Sequence, residues 1–180
     1  MLRDILDSRR ERIHQRWLDL ILAEFPPDSQ AFLRSERDQF RNPIGHTFRQ
    51  ETAVILSELI GRAPSDATGE SLDHIIKIRA VQDCPPSEAA GLFILLKQAI
   101  RAELVSEPES GWSRDELSAL ESEIDRLTLR AFDCYTDCRE RIHKAVARAA
   151  QMRVAKLLER MSRPHENANA GAALRSGDEL

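Results

Sequence analysis

Glycine is scarce in this chain, with only 7 in 180 residues, whereas a sheet protein full of tight turns would use more. Cationic charge is short as well: 26 Lys and Arg face 30 Asp and Glu, a formal net charge of −4 at pH 7. That balance leaves no broad positive field to neutralise phosphates, so no nucleic-acid partner is expected. Long hydrophobic runs are missing too. The longest, Ala89 to Leu96, falls far below the roughly 20 residues that cross a bilayer, so no membrane insertion is expected. The opening MLRDILDSRRERIHQRW mixes acids and bases where a secretory signal needs an apolar core. Cys84, Cys134 and Cys138 are an odd set without the spacing of a disulfide framework, which fits a reducing compartment. A cytoplasmic protein is the expectation, and the terminal Gly-Asp-Glu-Leu, without a secretory signal, carries no address. No G-x-S-x-G, Walker loop, dinucleotide fingerprint, H-E-x-x-H or paired C-x-x-C occurs, so an enzyme is not expected.

What the chain does have is apolar residues at 42% and charged residues at 31%, arranged with helical periodicity. Leu2, Leu6, Ile13, Trp17, Leu20 and Ile21 recur at helical spacing and predict one amphipathic helix over 2–25, stopped by Pro26 and Pro27. Asp28 is a candidate cap for a short second helix carrying Phe32, Leu33 and Phe40. Asn42 before Pro43 sets a strong capping side chain ahead of a residue suited to the first helical position. The third helix starts there, with Ile44, Phe48, Ile55 and Leu59 on one face, and Gly61 is read as its left-handed stop. Ser71 is the candidate cap of a fourth helix, which must end near Asp83 because Cys84 precedes a proline. Pro86 then opens a helix that is apolar on nearly every side from Ala89 to Leu104, with Gly91 read as the place where another helix approaches closely. Lys97 and Arg101 are read as a solvated face.

The last helix begins at a capping box, Ser113-Arg-Asp-Glu116. Its seam runs through Leu117, Leu120, Ile124, Leu127, Ala131, Cys134 and Cys138, then shifts phase through Ile142, Val146, Ala149 and Leu157. A helix from Arg114 to Met161 spans roughly 70 Å, against about 35 Å for a body of the preceding residues, so its far end is expected to project. Intramolecular burial competes with pairing of two copies as the purpose of the seam over 117–138, and weakens as an explanation beyond Arg139. The expected whole is one all-α domain over 1–161, its long helix starting near 114, with a disordered tail over 162–180.

Candidate site residues cluster around the prolines. Arg79 and Asp83 stand one turn apart and are expected to pair, with Gln82 on an adjoining face. Partly desolvated, these groups form either a structural polar network or the polar wall of a ligand pocket. Arg41 and Asn42, at the start of the third helix, can hold an anion or simply cap it. No cofactor is expected. The alternative is haem or a metal on His74 or His46, and Cys134 and Cys138, with Asp137 and His143 nearby, are read first as small seam residues and second as a redox or metal pair.

The stretches DQFRNPIGHTF and IIKIRAVQDCPPSEAAGLFILLKQAIR resemble the RsbT co-antagonist, RsbRD N-terminal domain family, over about Leu2 to Met161, although Cys84 stands where that family has an aromatic. The resemblance implies an all-helical, globin-like signalling domain without haem, of the kind found in stressosome proteins, whose last helix leads to an output module. A STAS or kinase module would need at least another hundred or so residues, so a stand-alone sensory domain is the expectation. It is expected to be a homodimer with a regulatory protein partner. A structural adaptor is a further alternative.

Overall fold

The computed structural model describes residues 2–61, 67–105 and 111–162; the expected tail from 163 onward and the loop around Pro64 lie outside them. Seven helices and no strand occur among the described residues: α1 (Leu2–Ser8), α2 (Arg10–Ala23), α3 (Pro27–Ser35), α4 (Pro43–Ile60), α5 (Ala67–Val81), α6 (Pro86–Leu104) and α7 (Arg114–Ser162). The fold is all-α with a long C-terminal helix, as the periodicity predicts. The chain divides into two compact units, Met1–Arg139 and Glu140–Leu180.

In the first unit α2 packs against α3, α4 and α6, and α4 packs against α5. The core sits where α2, α4 and α6 meet. Trp17, Phe48 and Phe93 are fully buried there, and the Trp17 indole donates to the Leu92 carbonyl at 2.8 Å. Each such aromatic or aliphatic side chain contributes about 1.5–3 kcal/mol on burial. Leu120, Ile124, Leu127, Ala131 and Tyr135 of α7 are buried as well, so the seam over 117–138 belongs to this unit's own core. Lys97 meets Asp125 at 2.6 Å and Arg101 meets Glu121 at 2.6 Å, tying α6 to α7. These two cations are therefore not merely solvated.

Helix starts obey local chemistry. The Asn42 side chain accepts from Gly45 N at 2.8 Å with Pro43 next to it, Pro86 opens α6, and Ser113 and Glu116 exchange the reciprocal capping-box bonds at 3.1 and 2.9 Å. Other expectations are corrected. The first helix is two, broken at Arg9, whose guanidinium leaves to bond the Glu103 carbonyl. Pro27, not a capping Asp28, opens α3, and Phe40 lies beyond that helix, 84% exposed. Gly61 is extended, with φ −62° and ψ 162°; Arg3 takes the Leu59 and Gly61 carbonyls instead, so α4 needs no left-handed turn. Ser71 is a buried residue within α5, which starts a turn earlier, at Ala67. A Cβ built on Gly91 meets nothing within 4 Å, so no helix crosses closely there.

In the second unit the described part of α7 is exposed at almost every position from 140 to 161, Ile142 and Ala149 being half-buried.

Candidate functional site

The corner between α5 and α6 organises the site. α5 ends at Val81 because Cys84-Pro85-Pro86 cannot continue it: the residue before a proline is driven out of the helical region. Asp83 makes the reversal with φ +59°, a left-handed conformation that aspartate tolerates better than most side chains. The expected Arg79–Asp83 pair is therefore absent. Past the helix end the Asp83 carboxylate turns away from Arg79 and pairs with Arg139 of α7.

Arg79 instead turns inward, its side chain only 4% exposed. Its guanidinium lies over the Phe25 ring, 4.9 Å from the centroid, a favourable cation–π arrangement. Nη1 donates to Gln82 Oε1 at 3.2 Å, and Nη2 stands 3.6 Å from Glu88 Oε2, an ion pair too long for a hydrogen bond. Nε is buried without a hydrogen-bond partner. A buried donor left in that state costs about 1–3 kcal/mol, and a guanidinium cannot relieve the cost by losing its proton.

Beside this group opens a cavity of about 730 Å³. Its apolar wall is Phe25, Pro26, Phe32, Leu33, Pro43 and Ile44, and its polar wall includes Arg41, Asn42, Arg79, Gln82, Cys84 and Glu88. Four of the five sequence-derived ligand candidates thus share one cavity: Arg41, Asn42, Arg79 and Gln82. Asp83 does not line it. Asn42 is fully engaged in structure, its Nδ2 donating to the Leu33 and Glu36 carbonyls at 3.2 and 3.0 Å while Oδ1 caps α4. Arg41 is exposed and pairs with Glu36 at 3.0 Å.

The far side of the corner is fastened to α7. The Tyr135 hydroxyl donates to the Cys84 carbonyl, and Arg139 donates to the Ala80 carbonyl at 3.1 Å besides holding Asp83. Burial pushes the Tyr135 phenol above its ordinary range, so it stays a donor. The Cys84 thiol, raised chiefly by burial, donates to the Arg79 carbonyl at 3.4 Å. Sequence reasoning missed Phe25, Glu88, Tyr135 and Arg139; only the steady seam spacing on α7 pointed near Tyr135.

His74 sits on the exposed side of α5 with Nδ1 2.7 Å from Glu51 Oε1, and His46 is half-buried on α4. Neither lines the cavity. Cys134 donates to Asp73 Oδ1 at 3.0 Å, and burial, then that carboxylate, drives its thiol far above the usual range. Such a thiol stays protonated near neutral pH. Among the described residues no group of three or more His, Cys, Asp or Glu is placed to hold a metal ion, and no helix is long and apolar enough to cross a membrane.

In comparison with known proteins, the family model described as RsbT co-antagonist protein rsbRD N-terminal domain matches residues 11–150. No curated protein and no solved structure matches the chain.

Proposed function

Because the chain belongs to the RsbT co-antagonist protein rsbRD N-terminal domain family, we propose that it is a non-enzymatic sensory domain, one that couples occupancy of the Arg79 cavity to its last helix and through that helix to a regulatory protein of stressosome type. One observation carries the reading: a single corner of chain supplies Arg79, Gln82, Cys84 and Glu88 to the cavity and presents the Cys84 and Ala80 carbonyls to Tyr135 and Arg139 of α7. A ligand that draws Arg79 or Glu88 toward itself moves the peptides that α7 grips. For a signal to result, the ligand must favour one of two corner arrangements over the other, by the difference in its affinity for them. The exposed second part of α7 is the natural output, and two copies of the chain are its first candidate occupants.

The test is Tyr135→Phe, which deletes the hydroxyl donor and keeps the ring. Hydrogen exchange read by mass spectrometry should quicken at amides of the corner, 80–86, and along α7 from Tyr135 onward, while α2 and α4 keep wild-type rates. Acceleration that stops at the corner would remove the coupling.

A further inference from the structure

We infer that the Arg79 cavity binds a small apolar monocarboxylate, with the carboxylate on the guanidinium of Arg79 and a ring or branched alkyl body against Phe25, Phe32 and Ile44. The purpose of such a ligand rests on the sensory reading above; its chemistry rests on the cavity alone.

Arg79 carries a permanent charge in a nearly dry place, 4% exposed, with one hydrogen bond to Gln82 and a buried Nε that has none. Among the described residues the anion paired with it is Glu88 at 3.6 Å, whose side chain is 48% exposed and free to swing into water. An incoming carboxylate replaces that loose pair with the short, forked contact that guanidinium geometry favours. The rest of the lining decides what the carboxylate is attached to. Glu24 and Glu88 offset Arg41 and Arg79, and Arg41 is already matched by Glu36, so the lining holds no surplus of positive charge: one carboxylate fits by displacing Glu88 from Arg79, whereas the second charge of a phosphate dianion would have no cation to meet. The walls of Phe25, Pro26, Phe32, Leu33, Pro43 and Ile44 reward an apolar body, and about 730 Å³ lies within the range of sites that enclose a whole small molecule.

The experiment is calorimetric titration of the full chain with 4-phenylbutyrate and indole-3-acetate, each beside its primary amide, and with inorganic phosphate. The acids should bind, the amides at least about tenfold more weakly, as loss of a charge-assisted hydrogen bond requires. Arg79→Met should weaken the acids by a similar factor. Glu88→Gln, at a half-exposed position that threatens folding little, should tighten them by removing the competing carboxylate. Equal binding of acid and amide, weaker acid binding by Glu88→Gln, phosphate binding tighter than either acid, or no acid binding by wild type and Glu88→Gln alike would overturn the inference. Hydrogen exchange with acid at saturation separates the two readings. Binding that leaves α7 unchanged keeps the ligand class and removes the coupling; absent binding with the Tyr135→Phe effect intact removes only the ligand class.

Discussion

At the scale of single residues, polar groups inside the first unit divide into those whose bonding is complete and those whose bonding is not. Asn42 is complete: every polar atom of its amide has a partner on α4 or at the end of α3, which is why it serves packing before binding. Arg79 is incomplete, and that difference marks it out. His14 belongs to the first kind but is conditional on pH. The Thr52 hydroxyl gives its proton to the Phe48 carbonyl at 2.5 Å, so at 2.9 Å its oxygen accepts from His14 Nε2. Burial holds the pKa of His14 below the ordinary 6.5, against the smaller upward pulls of Glu11 and the Arg49 backbone. With the folded pKa depressed, the unfolded chain takes up the proton first, so the stability that neutral His14 contributes is complete above 6.5 and is lost as pH falls through the folded value. The urea midpoint should therefore drop between about pH 7.5 and 5.5, and His14→Gln, which keeps an amide donor for Thr52, should drop less over the same window. Identical slopes would mean that other groups set the acid limb.

At the scale of elements, two glycines on different helices make opposite predictions. Gly91 lies in mid-α6 with open space where a Cβ would be, so Gly91→Ala should stabilise the fold by about 0.5–1 kcal/mol through backbone entropy and helix propensity. Gly45 lies in the first turn of α4, where a Cβ would collide with the Asn42 side chain. Gly45→Ala should expel the cap and cost about 1–2 kcal/mol. Chemical denaturation of both variants checks the pair, and a loss of stability in Gly91→Ala would return the close helix approach that the sequence suggested. What was legible in the sequence follows from the range of the forces involved. Asn42–Pro43, Pro86 and the Ser113–Glu116 box act within one turn and were readable. The end of α4 was not, because Arg3 caps it from another helix. The site divided in the same way: Arg79 and Gln82 stood out as polar residues in an apolar stretch, but the ring beneath Arg79 comes from Phe25 and its anion from across a corner. The preferred partner of Arg79 changed from Asp83 to Glu88 once the chain reversed at φ +59°. Only the tertiary path decides that, and an i, i+4 rule presumes a helix that does not stop.

At the scale of the whole molecule, the two units differ in how they use α7. Up to Arg139 its seam of Leu120, Ile124, Leu127, Ala131 and Tyr135 is spent on the core of the first unit. In the second unit a different line of residues is available: Ala147, Ala150, Val154, Leu157 and Met161 alternate steps of three and four and are all exposed, which is the spacing of a two-stranded coiled coil. It runs beside the expected line through Ile142, Val146, Ala149 and Leu157, which has Arg153 in the turn after Ala149. The flanks carry an uneven charge. Between 140 and 161, Arg141, Lys144, Arg148, Arg153, Lys156 and Arg160 face only Glu140 and Glu159, although the chain as a whole is acidic at −4. Two copies paired along this seam would bring like charges together beside an apolar contact, so screening should help them. Self-association measured by sedimentation equilibrium should therefore tighten as salt rises from about 0.05 to 0.3 M, where the Debye length shortens to well under 10 Å. Val154→Asp and Leu157→Asp should each yield monomers at both salt concentrations, with the thermal unfolding of the first unit unchanged. Association that weakens with salt would instead assign the basic flanks to an acidic partner surface, and a dimer that survives both substitutions would place its interface elsewhere on the chain.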